Sequence, residues 1–432
     1  MSIEALYERF LTSYSICTDT RKLKNSDLFF ALKGGNFNGN KFAQQALNNG
    51  ASFAIIDEEE FLTDDRCILV EDVLQTLQQL ANFHRKTFDI PVIGLTGSNG
   101  KTTNKELLKA VLSEKYKVHA TAGNLNNHIG VPLTLLEMPK DTEMAIIEMG
   151  ANHQKEIETR CGIAEPTHGF ITNVGKAHLE GFGGVEGVKK GKGELYDFLK
   201  ASGGYAFVNE KDENLLKMVK DREMMLTVFY GKDKRALDML EESPEVKFRE
   251  PETGKEYTSH ISGAYNFDNM QTAFNIGRFF NVETDAACEA IASYNPDNNR
   301  SQRLEQGSNT LFLDAYNANP SSMEASVRNF MALNTTKGKV VILGDMFELG
   351  EESHNEHEKL GALIAQGNFE TVVLFGENMQ AALKYLPKAF YFTDKFSLHN
   401  WLLDKQFSNK AILIKGSRGT GLETTLKFIG EG

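Results

Sequence analysis

Short apolar runs alternate with amphipathic stretches of helical length along the chain. In the first part, residues 27–32 and 52–56 have the apolar character of strands, and residues 41–49 have the periodicity of a helix that ends at Gly50. A further helix is predicted from residue 73 to about residue 86. This pattern predicts a small α/β module over residues 1–86.

The middle of the chain repeats this alternation over a longer stretch. Helical patterns separate four compact apolar runs that predict strands, at residues 90–95, 143–148, 168–172 and 205–208. Such an order favours a mostly parallel sheet with helices on both faces. The polar segment 295–300 indicates a boundary. We therefore predict a central domain over residues 87–298.

The last part of the chain has its own set of apolar runs. Each run ends at a turn that contains Gly, Asp or Asn, and the runs occupy residues 310–314, 339–343, 371–375 and 411–415. They predict a second open α/β sheet, Rossmann-like in organisation, over residues 299–432. Ligands of such sheets bind at the carboxyl ends of the strands. The expected fold class is therefore α/β with three domains.

Composition narrows the class of protein. The chain has 432 residues, which is too long for one compact core, and its formal net charge of −12 argues against a nucleic-acid or anionic-membrane surface as the main partner. We expect no membrane insertion and a cytoplasmic location, because no apolar run approaches membrane-spanning length and the start of the chain lacks a signal pattern. Four scattered cysteines predict neither a zinc site nor a disulfide framework: Cys17, Cys67, Cys161 and Cys288.

The segment TGSNGKTT is the strongest chemical signal. It joins a predicted strand to a predicted helix, so its glycines can point backbone N–H groups at phosphate oxygens beside a helix N-terminus. Lys101 would reach the terminal phosphates, and the Thr102 hydroxyl would bind Mg²⁺. The alternative is a glycine-rich turn that binds nothing. We predict an ATP site formed by Thr96, Gly97, Ser98, Asn99, Gly100, Lys101, Thr102 and Thr103.

Other polar clusters follow the predicted strands. Residues 121–132 are rich in amides, Glu148 ends one strand, and Asn173 and His178 follow another. A carboxylate and an imidazole near Thr102 would suit a second Mg²⁺, although each alone is more often an ordinary loop residue. In the last part, residues 314–320, 344–350 and 415–419 follow strands, and the glycine loop 416–419 suits an anion such as a carboxylate or a phosphate.

Eight motifs occur in the order typical of one family: TGSNGKTT, GNLNNHIGVPLTLL, IIEMGAN, ITNVGKAHLEGFG, GAYNFDN, DAYNANPSSM, GDMFELG and KGSRG. Together they resemble the ATP-dependent Mur ligases of bacterial cell-wall synthesis. DAYNANP, GDMFELG and KGSRG are typical of the members that add D-alanyl-D-alanine to UDP-MurNAc-tripeptide. The resemblance implies a UDP-substrate domain, a central ATP domain and a C-terminal domain for the dipeptide. It implies a reaction through an acyl phosphate and a closure of the domains before catalysis. We expect the protein to be a monomer.

The resemblance also implies roles for individual residues. A second Mg²⁺ would be bound by Glu148 and His178, and Lys192 matches the lysine that the family carries as a carbamate. Lys189 and Lys190 are neighbouring competitors, and the charge run at 189–192 is otherwise typical of a solvated face where a helix begins. The expected catalytic residues are Lys101, Glu148, His178 and Lys192.

Nucleotide and substrate contacts follow from the same resemblance. Asn266 and Asn269 match adenine-side residues, although this chain has Tyr265 where the family usually has histidine. Arg303 matches a phosphate-binding arginine, with Arg300 close enough to compete, and Asp314 matches a residue that approaches the nucleotide. The expected substrate contacts are Asp19, Thr20, Arg21, Lys33, Asn124, Asn127, Asn317 and Asn319.

Three alternatives stay open at this point. A sibling ligase that adds one amino acid to a UDP-muramyl peptide, or glutamate to folate, would share the phosphate loop but lack DAYNANPSSM and GDMFELG. A nucleotide-dependent switch would bind ATP without making a bond. A catalytically inactive scaffold would lack Lys101, Glu148 or His178, all of which are present.

Overall fold

The computed structural model describes residues 1–232, 236–296 and 299–430. The N-terminal region is a four-stranded parallel sheet in the order β1-β2-β5-β6, with a β3–β4 hairpin beside it. Its elements are α1 (Ile3–Thr12), β1 (Ile16–Cys17), β2 (Leu28–Phe30), β3 (Lys33–Gly34), β4 (Phe37–Asn38), α2 (Ala43–Asn48), β5 (Phe53–Ile56), β6 (Cys67–Leu69) and α3 (Val73–Lys86).

The local sequence explains these elements. All three residues of β2 are buried, and α3 begins where the Asp72 side chain accepts a hydrogen bond from the backbone N–H of Gln75. Val73, Leu77 and Leu80 then form the buried face of α3. The prediction of α3 is confirmed. The helix predicted at 41–49 is instead a 3₁₀ turn, Gly39–Phe42, followed by the short α2.

The central region contains a six-stranded parallel sheet in the order β12-β11-β10-β7-β9-β8. Apolar clusters cover both of its faces, so the predicted parallel, doubly covered sheet is confirmed. Its elements are β7 (Val92–Thr96), α4 (Lys101–Ser113), β8 (Val118–Ala120), α5 (Gly130–Leu136), β9 (Met144–Glu148), α6 (Glu156–Ala164), β10 (His168–Ile171), α7 (Leu179–Phe182), α8 (Val185–Ser202), β11 (Tyr205–Asn209), α9 (Glu213–Asp221), β12 (Thr227–Tyr230), β13 (Asp238–Glu241), β14 (Lys247–Arg249), β15 (Glu256–Thr258), α10 (Ala264–Phe279) and α11 (Thr284–Ser293).

The antiparallel sheet β13-β14-β15 was not predicted from the sequence. Its strands are only three or four residues long, and all four residues of β13 are exposed, so no apolar run marks that strand. The predicted boundary at 295–300 is described only in part, because residues 297–298 lie outside the described residues.

The C-terminal region is a six-stranded sheet in the order β16-β17-β21-β18-β19-β20, parallel except for β16. The predicted second α/β sheet is therefore confirmed, with an antiparallel edge strand added. Its elements are β16 (Gln302–Gln306), β17 (Asn309–Asp314), α12 (Pro320–Ala332), β18 (Gly338–Gly344), α13 (Ser353–Ile364), β19 (Thr371–Phe375), β20 (Phe390–Phe392), α14 (Lys395–Lys405) and β21 (Lys410–Lys415).

None of the helices formed by the described residues combines the length and apolar character needed to cross a bilayer. The loops that follow β7, β9 and β10 meet the loop that follows β17, and a large cavity lies between them and reaches Lys415 at the end of β21. Two parallel sheets thus present their carboxyl ends to one space, which is where open α/β sheets bind ligands.

Candidate active site

The cavity between the central and C-terminal regions has a volume of about 690 Å³. Its wall is unusually rich in amides, hydroxyls and charged groups, contributed by both regions. A space of this size holds a nucleotide-sized ligand. The predicted site residues that line it are Ser98, Asn99, Gly100, Lys101, Thr103, Asn124, Asn127, Glu148, His178, Asn266, Asn269, Asp314, Asn317 and Asn319.

The conformation of the loop between β7 and α4 is fixed by its glycines and by the residues that follow β10, the neighbouring strand in the sheet. Gly97 has φ +148°, and a Cβ atom there would lie 1.9 Å from the Thr172 hydroxyl oxygen. Gly100 has φ +76°. The Asn99 N–H donates to the Asn173 side-chain oxygen (3.0 Å), and the Asn99 carbonyl accepts from Thr172 Oγ1 (2.6 Å). The backbone is therefore arranged before any ligand binds.

Lys101 is the first residue of α4 and folds back over this loop. Its ammonium donates to the carbonyl oxygens of Gly97 (2.6 Å) and Ser98 (3.2 Å). Burial lowers the pKa of Lys101 to about 8, while the Glu148 charge acts in the opposite direction. The cation thus stands at the mouth of the loop, where phosphate oxygens would replace the two carbonyls.

Glu148 ends β9 and faces α4. One carboxylate oxygen accepts hydrogen bonds from Thr102 Oγ1 (3.3 Å) and from the Asn126 amide (2.8 Å). The other oxygen is buried and has no hydrogen-bond partner among the described residues. A buried, unpartnered anionic oxygen beside a hydroxyl fits a hard divalent cation such as Mg²⁺.

No group of three or more His, Cys, Asp or Glu side chains in the described part of the chain is arranged to hold a metal ion. A cation at Glu148 would therefore depend on ligands of other kinds, such as the Thr102 hydroxyl and phosphate oxygens. This composition is typical of Mg²⁺, which is usually bound by one or two carboxylates together with substrate phosphates.

Lys192 lies in the middle of α8, so the prediction that it begins a helix is wrong. Its side chain is almost fully buried, and its ammonium nitrogen contacts the Ala151 carbonyl (3.1 Å) and lies 5.1 Å from the centre of the Phe182 ring. Burial, reinforced by the charges of Lys101 and Arg160, holds the pKa of Lys192 well below its usual range.

The two competing lysines have different surroundings. Lys189 pairs with Glu186 (2.8 Å), and Lys190 is exposed. Only a neutral amine reacts with carbon dioxide to form a carbamate, and burial disfavours the charged form of a lysine. The burial of Lys192 therefore favours this modification, whereas Lys189 and Lys190 are not buried. The interpretation of Lys192 as part of a solvated face is wrong.

A chain of side-chain amides joins the phosphate loop to α10. The Asn104 amide donates to the Gly100 carbonyl (3.0 Å) and to Asn269 Oδ1 (2.6 Å). Asn269 in turn donates to Asn266 Oδ1 (3.1 Å). Tyr265 lines the same wall, and its hydroxyl lies 3.2 Å from the Ser301 hydroxyl. The amides predicted on the adenine side are therefore next to the loop, where Asn104 was not anticipated.

The C-terminal wall contains a buried ion pair. Lys415 Nζ lies 2.5 Å from Asp314 Oδ2, and Ser326 donates to the same oxygen (2.8 Å). Burial acts to raise the pKa of Asp314, but the Lys415 charge and the hydrogen bonds from Lys415 and Ser326 together hold that pKa below its ordinary value. Across the cavity, the Asn319 amide donates to Asn99 Oδ1 (2.7 Å), which joins the two regions at the phosphate loop.

The two candidate arginines lie in different places. Arg303 lies on β16 outside the cavity, where it pairs with Glu245 (3.3 Å) and Glu305 (3.0 Å). Arg300 lines the cavity, and its guanidinium carbon lies 3.7 Å from the centre of the Tyr316 ring. The two positions are three residues apart, and strand β16 carries the second one away from the site.

His178 and the loop after β18 form another contact between regions. His178 Nδ1 forms a hydrogen bond with the Glu348 carboxylate. Two residues earlier, the Lys176 ammonium pairs with the buried carboxylate of Glu356 at 2.7 Å. The loop that carries His178 is thus attached to the C-terminal region as well as lining the cavity.

Four predicted site residues belong to the site without lining the cavity. Three are in the phosphate loop, namely Thr96, Gly97 and Thr102, and the fourth is Lys192, which lies behind the cavity-lining Ala151. Asp19, Thr20 and Arg21 lie elsewhere, after β1 in the N-terminal region. There Arg21 pairs with Asp19 (2.7 Å), and Lys33 pairs with Asp57 (3.0 Å). These residues follow the carboxyl ends of neighbouring parallel strands.

Several cavity residues were missed. Asn126 lies within the amide-rich segment and Lys415 directly precedes the glycine loop 416–419, so both had a signal in the sequence. Arg160 had none, because it lies on α6 in an ordinary helical pattern. Its side chain is almost fully buried in the cavity wall, and its Nε has no hydrogen-bond partner among the described residues.

A phosphate loop on one sheet faces polar loops on a second sheet, and the match to known protein families identifies the class as an ATP-dependent ligase. Three family models match: "Mur ligase family, catalytic domain" over residues 12–85, "Mur ligase middle domain" over residues 95–277, and "Mur ligase, glutamate ligase domain" over residues 299–418. The chain belongs to the Mur ligase family.

Individual relatives agree with this assignment. The UDP-N-acetylmuramoyl-tripeptide–D-alanyl-D-alanine ligase of Bacillus subtilis is 34% identical over 96% of this chain and 92% of its own length. A crystal structure of MurF from Acinetobacter baumannii has a TM-score of 0.87 at 30% identity, covering 97% of this chain and 93% of the other. MurF from Thermotoga maritima, solved with ADP, has a TM-score of 0.84 at 28% identity, covering 97% of each chain.

Proposed function

We propose that this protein joins D-alanyl-D-alanine to the tripeptide carboxylate of UDP-MurNAc-tripeptide at the expense of ATP, in peptidoglycan synthesis. The observation that carries the proposal is the shared cavity. One wall is a phosphate loop with Lys101, and the opposite wall presents Asp314, Lys415 and the amides of Asn317 and Asn319. ATP, the acceptor carboxylate and the incoming amine need such a common space.

We assign three domains to this reaction. Residues 1–86 would hold the UDP end of the acceptor, through Asp19, Thr20, Arg21 and Lys33. Residues 87–298 would hold ATP, and residues 299–432 would hold the dipeptide. The contacts between the central and C-terminal loops support this division, because each region contributes one side of the cavity. We expect the enzyme to act as a monomer in the cytoplasm, without nucleic acid as a partner.

The phosphate loop would bind ATP through its backbone N–H groups and Lys101. Arg300 would add a second positive charge at the phosphates, and the amides of Asn266 and Asn269 would face the adenine side. Asn124 and Asn127, in the amide-rich loop, would contact the acceptor. These positions are supported by their place on the cavity wall.

Thr102, Glu148, His178 and a carbamylated Lys192 would hold two Mg²⁺ ions. Bound there, Mg²⁺ would neutralise phosphate charge and allow two anions to approach each other. The unpartnered oxygen of Glu148 and the buried amine of Lys192, whose pKa is lowered by burial, support this assignment. Carbamylation would replace a cation with an anion that can bind Mg²⁺.

The reaction then follows from carboxylate chemistry. A carboxylate is a poor electrophile, so an oxygen of the acceptor carboxylate attacks the γ-phosphorus of ATP and the bond to ADP breaks. The dipeptide amine attacks the carbonyl carbon of the resulting acyl phosphate. The tetrahedral intermediate collapses, orthophosphate leaves, and the nitrogen loses a proton. Lys101 and Arg300 stabilise the negative charge that collects on the transferred phosphoryl group.

Phosphate release tests the proposal. The purified enzyme should release ADP and orthophosphate only when ATP, UDP-MurNAc-tripeptide and D-alanyl-D-alanine are all present. Single amino acids in place of the dipeptide should give little turnover. Rapid ATP hydrolysis without acceptor and dipeptide would instead indicate a nucleotide-dependent switch, and preference for a single amino acid would indicate a sibling ligase.

A further inference from the structure

Glu348 has no role in the reaction as proposed above, yet it lies directly against His178. The Glu348 carboxylate accepts a hydrogen bond from His178 Nδ1, across the boundary between the C-terminal and central regions. The exposed fraction of the Glu348 side chain is 53%, so burial alone does not hold it there. Its position depends on the loop that carries it.

Both partners have a left-handed backbone. His178 has φ +53° and Glu348 has φ +62°, which is uncommon for residues with a Cβ atom. Such conformations persist only where the surrounding structure determines them, and they concentrate at functional sites. Each is followed by a buried leucine, Leu179 or Leu349, that fixes its loop.

The contact is one of several between the loop that follows β10 and the C-terminal region. Lys176 pairs with Glu356 at 2.7 Å, and its backbone N–H donates to the Ser321 hydroxyl at 3.2 Å. A Cβ atom on Gly350 would lie 3.4 Å from Cβ of Glu180. The Glu348–His178 contact therefore belongs to the interface between the C-terminal and central regions.

We propose that Glu348 is a positioning residue that orients the His178 ring for Mg²⁺ when the C-terminal region closes. An imidazole that donates from Nδ1 to a carboxylate is fixed in rotation and leaves the Nε2 lone pair available to a metal. Closure of the dipeptide-binding region thereby completes the metal site in the ATP-binding region. This inference rests on the proposed metal-binding role of His178.

The ring itself provides the first test. In ¹⁵N-histidine spectra of the full chain with an unreactive ATP analogue and UDP-MurNAc-tripeptide, the His178 signal is identified by its loss in His178→Ala. We expect the pattern of an Nδ1–H imidazole. Glu348→Ala should abolish that pattern, and Glu348→Gln should partly retain it because the amide oxygen can still accept. An unchanged signal in Glu348→Ala would overturn the proposal.

Mn²⁺ binding, followed by electron paramagnetic resonance under the same conditions, provides the second test. Glu348→Ala should weaken the affinity of the His178-dependent Mn²⁺ site about tenfold, the usual effect of removing such a partner. Glu351→Ala, which removes a neighbouring exposed carboxylate, should have no effect. Lys176→Ala removes another contact between the regions but keeps the Glu348 carboxylate, so it should weaken Mn²⁺ affinity less than Glu348→Ala does.

The variants separate the possible failures. If His178→Ala itself leaves Mn²⁺ binding unchanged, the proposed metal role of His178 fails and this inference falls with it. If His178→Ala weakens binding but Glu348→Ala does not, only the positioning role is wrong. Equal losses in Glu348→Ala and Lys176→Ala would show that Glu348 acts through domain contact alone, which would also overturn the proposal.

Discussion

The phosphate loop of the central region and the carboxyl edge of the N-terminal sheet present their polar groups in different ways. In the phosphate loop, Asn99 is hydrogen-bonded through its N–H, its carbonyl and its side chain, and Thr102 is buried. At the N-terminal edge, the Arg21 side chain is 87% exposed and pairs with Asp19, two residues away. The polar groups of the first site are arranged before the ligand binds. Those of the second site lose conformational entropy when the ligand binds.

This difference predicts different kinetic consequences. Interactions that are fixed in advance around the reacting phosphate stabilise the transition state and affect kcat. Interactions with a remote part of the substrate, made by mobile side chains, contribute mainly to binding and affect KM. Variants on the two sides of the molecule therefore test whether the comparison is correct.

The largest effect is expected from Lys101→Ala. The variant removes the cation at the mouth of the phosphate loop, so kcat/KM for ATP should fall by about 10³-fold or more. Steady-state kinetics measures the loss, and circular dichroism should show an unchanged fold. A loss of less than tenfold would mean that the loop does not bind the reacting phosphates.

Lys192→Ala should also reduce turnover strongly, by about 10²-fold. Added short carboxylic acids such as acetate should restore part of the activity, because they return a negative oxygen to the space that the side chain leaves. The matched control is Lys190→Ala, at an exposed position two residues away. Full activity in Lys192→Ala, without added acid, would remove the carbamate assignment.

Arg300→Ala and Arg303→Ala form a closely matched pair. Arg300 lines the cavity and Arg303 does not. We expect kcat to fall about 10- to 100-fold for Arg300→Ala, the range typical of a lost transition-state charge contact, and to change less than about twofold for Arg303→Ala. The reverse order would restore Arg303 as the phosphate-binding residue.

The smallest effect is expected at the N-terminal edge. Arg21→Ala should raise KM for UDP-MurNAc-tripeptide by about three- to tenfold and leave kcat unchanged, since an exposed charge contact contributes modestly to binding. The measurement is a substrate titration at saturating ATP and dipeptide. A fall in kcat with constant KM would show that the N-terminal region acts on the chemical step.

The sequence predicted the parallel sheets and the phosphate loop because apolar strands and glycine turns are local patterns. Glu148 and His178 were predicted to lie near the phosphate loop, because residues that follow parallel strands of one sheet share an edge, and both line the cavity. Arg160 and Glu348 were not assigned roles, because their positions depend on how helices and regions pack. The choice between Arg300 and Arg303 likewise required the path of β16, which three residues of sequence do not reveal.

The most direct measurement follows oxygen atoms. UDP-MurNAc-tripeptide labelled with ¹⁸O in its acceptor carboxylate should transfer one labelled oxygen to the orthophosphate released with each new amide bond. That transfer occurs only if the carboxylate oxygen has bonded to the γ-phosphorus of ATP. Orthophosphate without label, formed alongside the pentapeptide product, would contradict activation through an acyl phosphate.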